Sequence, residues 1–328
     1  MIRLLLIFLT MFTLPVRAQD EISGTGTLSF QVITAEDTID YLKVGTDTTT
    51  AKPTILFLQG SLPIPLIIDF GNFKHVGVPF NRDMVTDTFN LVIISMPETP
   101  LTAPVDQLND QYSYVTDTSD AHSFREEYLR ANYLENYVRR TKAVLDDLRS
   151  KSWVKEDEIH LVGHSQGAKI AAVTAAQFGD VASVVLLAFN AYGRYDELIR
   201  RDRAAVKTGR ITAEGYQQRL DDHYRGWKEI VQDPDNALNG NKSWRSFSIS
   251  YLPYLQKIEA SVFIGYGTED ISSENCDLLP LFFIEHGKEN YTLMSYIGWD
   301  HNFFDVNNRQ AGPNWDAVIE DVMGWIGK

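Results

Sequence analysis

The feature that most constrains this chain is the run Ile159-His160-Leu161-Val162-Gly163-His164-Ser165-Gln166-Gly167-Ala168-Lys169-Ile170-Ala171-Ala172. Its first residues read as a short strand on apolar Ile159, Leu161 and Val162, and small helix formers continue from Ala168 to about Phe178. Between the two lies Gly163-x-Ser165-x-Gly167, a serine on a tight strand-to-helix turn. A serine raised on such a turn takes a strained backbone conformation, and the flanking strand and helix come too close for a Cβ at either glycine. Short Gly- and Ser-rich patterns also arise by chance. The strand before and the helix after are what make Ser165 a candidate nucleophile.

The rest of the chain alternates strands with helices. Residues 26–33 and 38–44 alternate apolar with polar positions and are expected to pair as an antiparallel edge hairpin. Continuous apolar runs follow at 53–58, which ends in Gln59-Gly60-Ser61, and at 90–97, 182–189 and 261–266, with a last strand at 290–296. Such runs belong to strands covered on both faces, as in a parallel sheet. The spacing of Phe124, Tyr128, Leu129, Tyr133, Val138, Val144 and Leu148 predicts one amphipathic helix over 123–150, with Ser123 as N-cap and Glu126 completing a capping box. Residues 314–328 predict a closing amphipathic helix. Together these give an α/β class with a mainly parallel central sheet flanked by helices.

One segment breaks the alternation. Residues 190–258 carry helical patterns over 194–207 and 212–232, turns, and an aromatic-rich stretch, but no buried strand. An insertion of this size after the sixth strand is expected to form a helical cap over the carboxyl ends of the strands, where open α/β sheets bind ligands. The expected division is 1–18, a core over 19–189, a cap over 190–258 and the second part of the core over 259–328.

A serine hydroxyl near neutral pH is a weak nucleophile; it needs a base within hydrogen-bond reach and an acid to orient that base. The strand at 261–266 runs into Gly267-Thr268-Glu269-Asp270, and Asp270 is assigned as the acid, with Glu269 and Asp196 as competitors. The histidines after it are His286, before a glycine at a helix end, and His301, in a loop after the last strand. His301 is assigned as the base. His164 is expected to pack under the elbow rather than act as a base, and an aromatic set including Tyr192 and Trp227 either lines a pocket or packs the cap onto its domain.

The segments Gln59-Gly60, Gly163-His164-Ser165-Gln166-Gly167, Gly267-Thr268-Glu269-Asp270 and Asp300-His301 together resemble the α/β-hydrolase superfamily over essentially the whole chain after residue 18. The resemblance implies a serine hydrolase with Ser165, Asp270 and His301 as its triad. It also implies an oxyanion hole built from the backbone N–H groups of Ser61 and Gln166. Gln59 stands where the superfamily commonly has histidine. A carboxylic ester is the expected substrate, with a short peptide or amide as the alternative and a non-catalytic binding module as the third reading. Gln59, His164, Tyr192, Trp227 and Trp299 are the candidate pocket residues. No cofactor is expected, since no G-x-G-x-x-G follows a strand and no metal-ligand cluster is present in the sequence.

Composition bounds the setting. Arg3, the apolar run 4–14 and the small residue Ala18 read as a secretory signal cut after Ala18, too short to span a bilayer. Of 30 Lys and Arg, Arg3 and Arg17 would leave with it, so 28 basic residues face 44 acidic ones and the mature formal charge is −16. A chain this acidic is not expected to bind nucleic acid or anionic membranes through general electrostatics. Its single cysteine, Cys276, cannot form an intrachain disulfide, so the fold rests on its core. The expected location is periplasmic or extracellular, with no stable membrane anchor after cleavage; oligomeric state is not legible.

Overall fold

A computed structural model describes residues 20–328; the expected signal segment lies outside them. The first half contains β1 (Asp20–Ile22), β2 (Thr27–Ile33), β3 (Thr38–Val44), β4 (Lys52–Leu58), β5 (Ile67–Asp69), β6 (Lys74–Val76), α1 (Arg82–Thr86), β7 (Asn90–Ile94) and β8 (Thr102–Pro104). Then come α2 (Glu126–Ala131), α3 (Leu134–Arg149), β9 (Val154–His164), α4 (Gln166–Phe178) and β10 (Ser183–Leu187). The remainder contains α5 (Arg194–Lys207), α6 (Ala213–Gln232), α7 (Asn241–Phe247), α8 (Leu252–Lys257), β11 (Ser261–Gly267), α9 (Leu279–Glu285), β12 (Tyr291–Tyr296) and α10 (Trp315–Ile326).

Nine strands make one sheet in the order β1-β2-β3-β7-β4-β9-β10-β11-β12. From β7 to β12 every neighbour is parallel, while β1, β2 and β3 join the edge in antiparallel fashion. The central strands are apolar at consecutive positions because both faces are covered. Leu56 and Leu58 of β4 enter one core cluster with Leu161 and Leu186, whereas Ile55 and Phe57 enter the other with Val162, Val185 and Leu187. Burying one such side chain contributes about 1.5–3 kcal/mol. The two layers together hold the sheet rigid under the elbow.

Several expectations are corrected. The helix expected over 123–150 is two helices, α2 and α3, broken at Asn132 and Tyr133. Ser123 does not cap either one: its hydroxyl donates back to the carbonyls of Asp117 and Asp120, closing the preceding turn. The 190–258 segment follows the seventh strand of the main sheet rather than the sixth, because β1 adds an unforeseen edge strand. That segment contains helices α5 to α8, and Thr212 caps α6 by accepting from the Gly215 N–H. A second, three-stranded sheet, β6-β5-β8, also went unforeseen; its strands are only three residues long.

Two glycines test this packing. A Cβ on Gly167 would lie 2.0 Å from the Leu58 carbonyl oxygen, so Gly167→Ala is expected to lower stability by about 3 kcal/mol or more. Gly324, exposed within α10 and with nothing near its missing Cβ, gives the opposite sign, a gain of about 0.5–1 kcal/mol for Gly324→Ala. Urea unfolding midpoints of the two variants would check both.

Candidate active site

The site begins with the elbow. Ser165 sits at φ 57° and ψ −116° between β9 and α4, a backbone state that costs about 1–3 kcal/mol for a residue with a Cβ. Its own N–H donates to the Leu187 carbonyl at 2.9 Å, tying the strained turn to the neighbouring strand. The two elbow glycines are required by contact rather than by φ. A Cβ at Gly163 would meet the Gly167 carbonyl at 2.2 Å, and one at Gly167 would meet the backbone of Leu58 and Gln59. The helix N-terminus therefore lies directly against the end of β4, where Ser61 is found.

Asp270 and His301 come together by a second close approach. A Cβ on Gly267, the last residue of β11, would lie 2.2 Å from the Trp299 carbonyl oxygen and 2.7 Å from that of Asp300. Glu269 N–H also donates to the Trp299 carbonyl at 2.9 Å. The loop after β12 is shaped by Asp300, whose carboxylate accepts from the N–H groups of Asn302 and Phe304. These contacts set Asp270 and His301 side by side at the carboxyl ends of adjacent strands.

The resulting chain of hydrogen bonds is continuous. Ser165 Oγ lies 2.9 Å from His301 Nε2, and His301 Nδ1 lies 2.8 Å from Asp270 Oδ2. An ionised carboxylate only accepts, so Nδ1 carries the proton and Nε2 of the neutral ring is free to accept from the serine. Asp270 is buried and also accepts from the hydroxyls of Ser272 at 2.6 Å and Ser273 at 2.5 Å, and from the Ser272 N–H at 2.9 Å. Burial pushes its carboxyl up, but the His301 hydrogen bond and charge, with the two serine hydroxyls, outweigh that and hold it below the usual carboxylate value. For His301, burial works against the charged ring, yet the Asp270 hydrogen bond and charge, joined by Glu197, raise it above its ordinary 6.5. Glu269, Asp196 and His286 take no part in this chain. Asp196 instead accepts from Asn190, Arg200 and Asn275, and His286 sits at the exposed end of α9 against Phe282.

Beside the nucleophile, neither the Ser61 nor the Gln166 N–H donates to a backbone carbonyl among the described residues. Both residues are held from behind. The buried Tyr128 hydroxyl donates to the Ser61 carbonyl at 2.7 Å, and Arg194 Nη2 donates to Gln166 Oε1 at 2.5 Å. The sequence gives no sign of either contact, since Tyr128 reads as an ordinary apolar-face residue and Arg194 as part of a charged helix. Gln59 reaches the Ile94 carbonyl in a long contact of 3.5 Å. Next to the elbow, α4 carries a buried Lys169 paired with Glu197 of α5 at 2.7 Å.

A cleft of about 670 Å³ opens onto Ser165 and His301. Gln59 and His164 line it, as expected; Tyr192, Trp227 and Trp299 do not. Tyr192 is exposed elsewhere, Trp227 packs against Tyr195 within the α5–α6 pair, and Trp299 stacks on Tyr296 at 5.0 Å. The wall opposite the triad comes instead from residues 61–79 and Tyr112, with Trp315 of α10 at the base. His164 donates from Nε2 to the His301 carbonyl at 2.9 Å and meets Trp315 edge-on, so it anchors the base-bearing loop. Its burial pushes its own ionisation down to about 3. Among the described residues, no Asp, Glu, Lys or Arg lines the cleft. Glu197, Glu269 and Asp300 border a separate hollow of about 300 Å³ on the other side of His301. Among the described residues no group of three or more His, Cys, Asp or Glu converges as a metal site, and no helix is long and apolar enough to cross a membrane.

No protein-family model matches the sequence, and no curated protein matches it. Solved structures do match. An α/β hydrolase, GrgF, from Penicillium sp. sh18 is 14% identical at a TM-score of 0.53, over 92% of this chain and 97% of that one. A membrane phospholipase A described as a bacterial virulence factor is 17% identical at a TM-score of 0.52, over 93% and 88%. Dipeptidyl peptidase 4 from Porphyromonas gingivalis is 12% identical at a TM-score of 0.52, over 87% of this chain but 34% of that one. The chain thus spans about a third of the length of the dipeptidyl peptidase, and at these identities the likeness establishes the fold, which is the α/β-hydrolase fold.

The two site histidines should titrate apart. In a nuclear magnetic resonance titration His301 is expected to ionise above 6.5 and His164 to remain neutral down to about pH 4 or below, given its value near 3. Asp270→Asn removes the partner that raises His301 and should move its midpoint downward.

Proposed function

We propose that this α/β-hydrolase-fold chain is a serine hydrolase that cleaves a carboxylic ester through an acyl-enzyme on Ser165. The unbroken Ser165–His301–Asp270 hydrogen-bond chain, at 2.9 and 2.8 Å, carries this reading. Ser165 Oγ attacks the acyl carbon while its proton passes to His301 Nε2. Asp270 stabilises the imidazolium that forms, and the Ser61 and Gln166 N–H groups donate hydrogen bonds to the developing oxyanion. His301 then gives its proton to the departing alcohol oxygen. Water repeats the sequence: it loses a proton to His301, attacks the acyl carbon, and the proton returns to Ser165 Oγ as the acid leaves.

Ester rather than peptide chemistry is supported by what faces the nucleophile. An exopeptidase needs a carboxylate to hold its substrate's free amine, and four candidate carboxylates of the helical insertion are engaged by neighbouring side chains. Glu197 pairs with Lys169, Asp196 with Arg200, and Asp221 and Asp222 with side chains of their own helix. The cleft beside Ser165 offers apolar surface instead. The reading includes export to the periplasm or exterior, motivated by the 1–18 segment, and action on a small-molecule substrate.

Three outcomes follow from these roles. Ser165→Ala should retain its fold by circular dichroism, yet lose at least about 10³-fold in kcat on p-nitrophenyl butyrate. His301 must be neutral to accept the serine proton, and it is charged below its raised midpoint. The kcat/KM profile should therefore rise with pH through one ionisation above 6.5, and the inflection should fall in Asp270→Asn. Tyr128→Phe frees the Ser61 carbonyl, so kcat should drop about three- to tenfold with KM nearly constant, less than the 10²-fold or more of losing an oxyanion donor itself.

A further inference from the structure

The cleft at Ser165 has a shape and chemistry that the triad alone does not require. From Ser61 it runs under Leu62, Ile64, Ile68 and Val78, all of the segment between β4 and α1. At its mouth Phe70 and Phe73 stack at 4.7 Å and 9°, and Tyr112 meets Phe70 edge-on at 6.2 Å. Phe73 is 55% exposed and Tyr112 45% exposed. Large aromatic surface left open to water around a cavity marks a place where an apolar ligand covers it.

Tyr112 is also held there at a cost. It has φ 59°, a left-handed state uncommon for an aromatic residue. The buried Asn109 imposes it: its side-chain oxygen accepts from the N–H groups of Gln111 and Ser113, and its carbonyl accepts from Tyr112 N–H at 2.8 Å. Strain kept in place by a dedicated turn is characteristic of a ligand clamp.

We propose that this cleft is an acyl-chain site, so that the ester cleaved at Ser165 carries an apolar acyl group of medium length, clamped by Phe70, Phe73 and Tyr112. This rests on the reading of Ser165 as an ester-cleaving nucleophile. At the tetrahedral carbon the leaving oxygen must lie at His301 Nε2 and the oxyanion at the Ser61 and Gln166 N–H groups. The acyl chain takes the remaining direction, and the apolar void that reaches Ser165 receives it. A water-sized group takes about 30 Å³, so a chain of about eight to ten carbons fills about 240–300 Å³ and fits within the 670 Å³ available. The lining suits this occupant: among the described residues that border the cleft there is no Asp, Glu, Lys or Arg, and its titratable groups are His75, His164, His301 and the Tyr112 phenol.

The test is kcat/KM on p-nitrophenyl esters from acetate to laurate, beside acetate esters of alcohols of the same lengths. On the acyl series the value should rise about fourfold per methylene as far as about eight carbons. Phe73→Ala, at an exposed position, should lower the octanoate-to-acetate ratio about tenfold. Ile68→Trp, which fills the cleft, should collapse that ratio further if it folds. A Ser165-dependent turnover with a flat acyl series, or a length preference on the alcohol series alone, would overturn the acyl site and leave the hydrolase reading standing. Absence of turnover on every ester, together with no labelling of Ser165 by a fluorophosphonate, would overturn both.

Discussion

The first turn of α4 lies against the backbone of Leu58 and Gln59 at a separation that a single Cβ on Gly167 would close to 2.0 Å. The proposed chemistry depends on that approach. It brings the start of α4, with Gln166, against the segment that leads into Ser61, and between β9 and α4 Ser165 takes the strained turn at φ 57°. The strain is sustained because two apolar layers clamp the parallel strands beneath it.

A parallel device positions the other half of the site. Gly267 lets the end of β11 touch the loop after β12, and the pairing of Asp270 with His301 follows from that contact. Burial alone shifts Asp270 toward its protonated form and His301 toward its neutral form. Four hydrogen bonds to the Asp270 carboxylate reverse this, and the His301 ring is then biased toward accepting a proton. His164 fastens the same loop from beneath, through the His301 carbonyl, without competing for the proton.

How legible all this is from sequence depends on the range of the interaction. The elbow reads directly, because a tight strand-to-helix turn imposes its residue types within five positions. Asp270 reads from chain order and the continuous apolar run of β11, and His301 from chain order after a last strand, β12, whose mixed residues mark it less clearly. The cleft does not. Strands β5, β6 and β8 are three residues each, too short to show a period, and their small core of Ile68, Ala103 and Leu108 comes from residues far apart in the chain. The aromatic-rich 190–258 segment draws attention by composition, yet Trp227 packs against the helical insertion itself. The break between α2 and α3 is hidden for a related reason: the apolar spacing continues through Asn132 and Tyr133 while the backbone turns. Tyr128 and Arg194, which brace Ser61 and Gln166, act across 67 and 28 positions, beyond any local pattern.

The central claim is that Ser165 carries the acyl group between two chemical steps. Acid-quenching the enzyme during steady-state turnover of p-nitrophenyl octanoate, followed by digestion and mass spectrometry, tests it most directly. The account predicts a peptide containing Ser165 heavier by one octanoyl group, and its absence in Ser165→Ala. Rapid turnover by an enzyme that stays unmodified, or an octanoyl group found on a different residue, would contradict it.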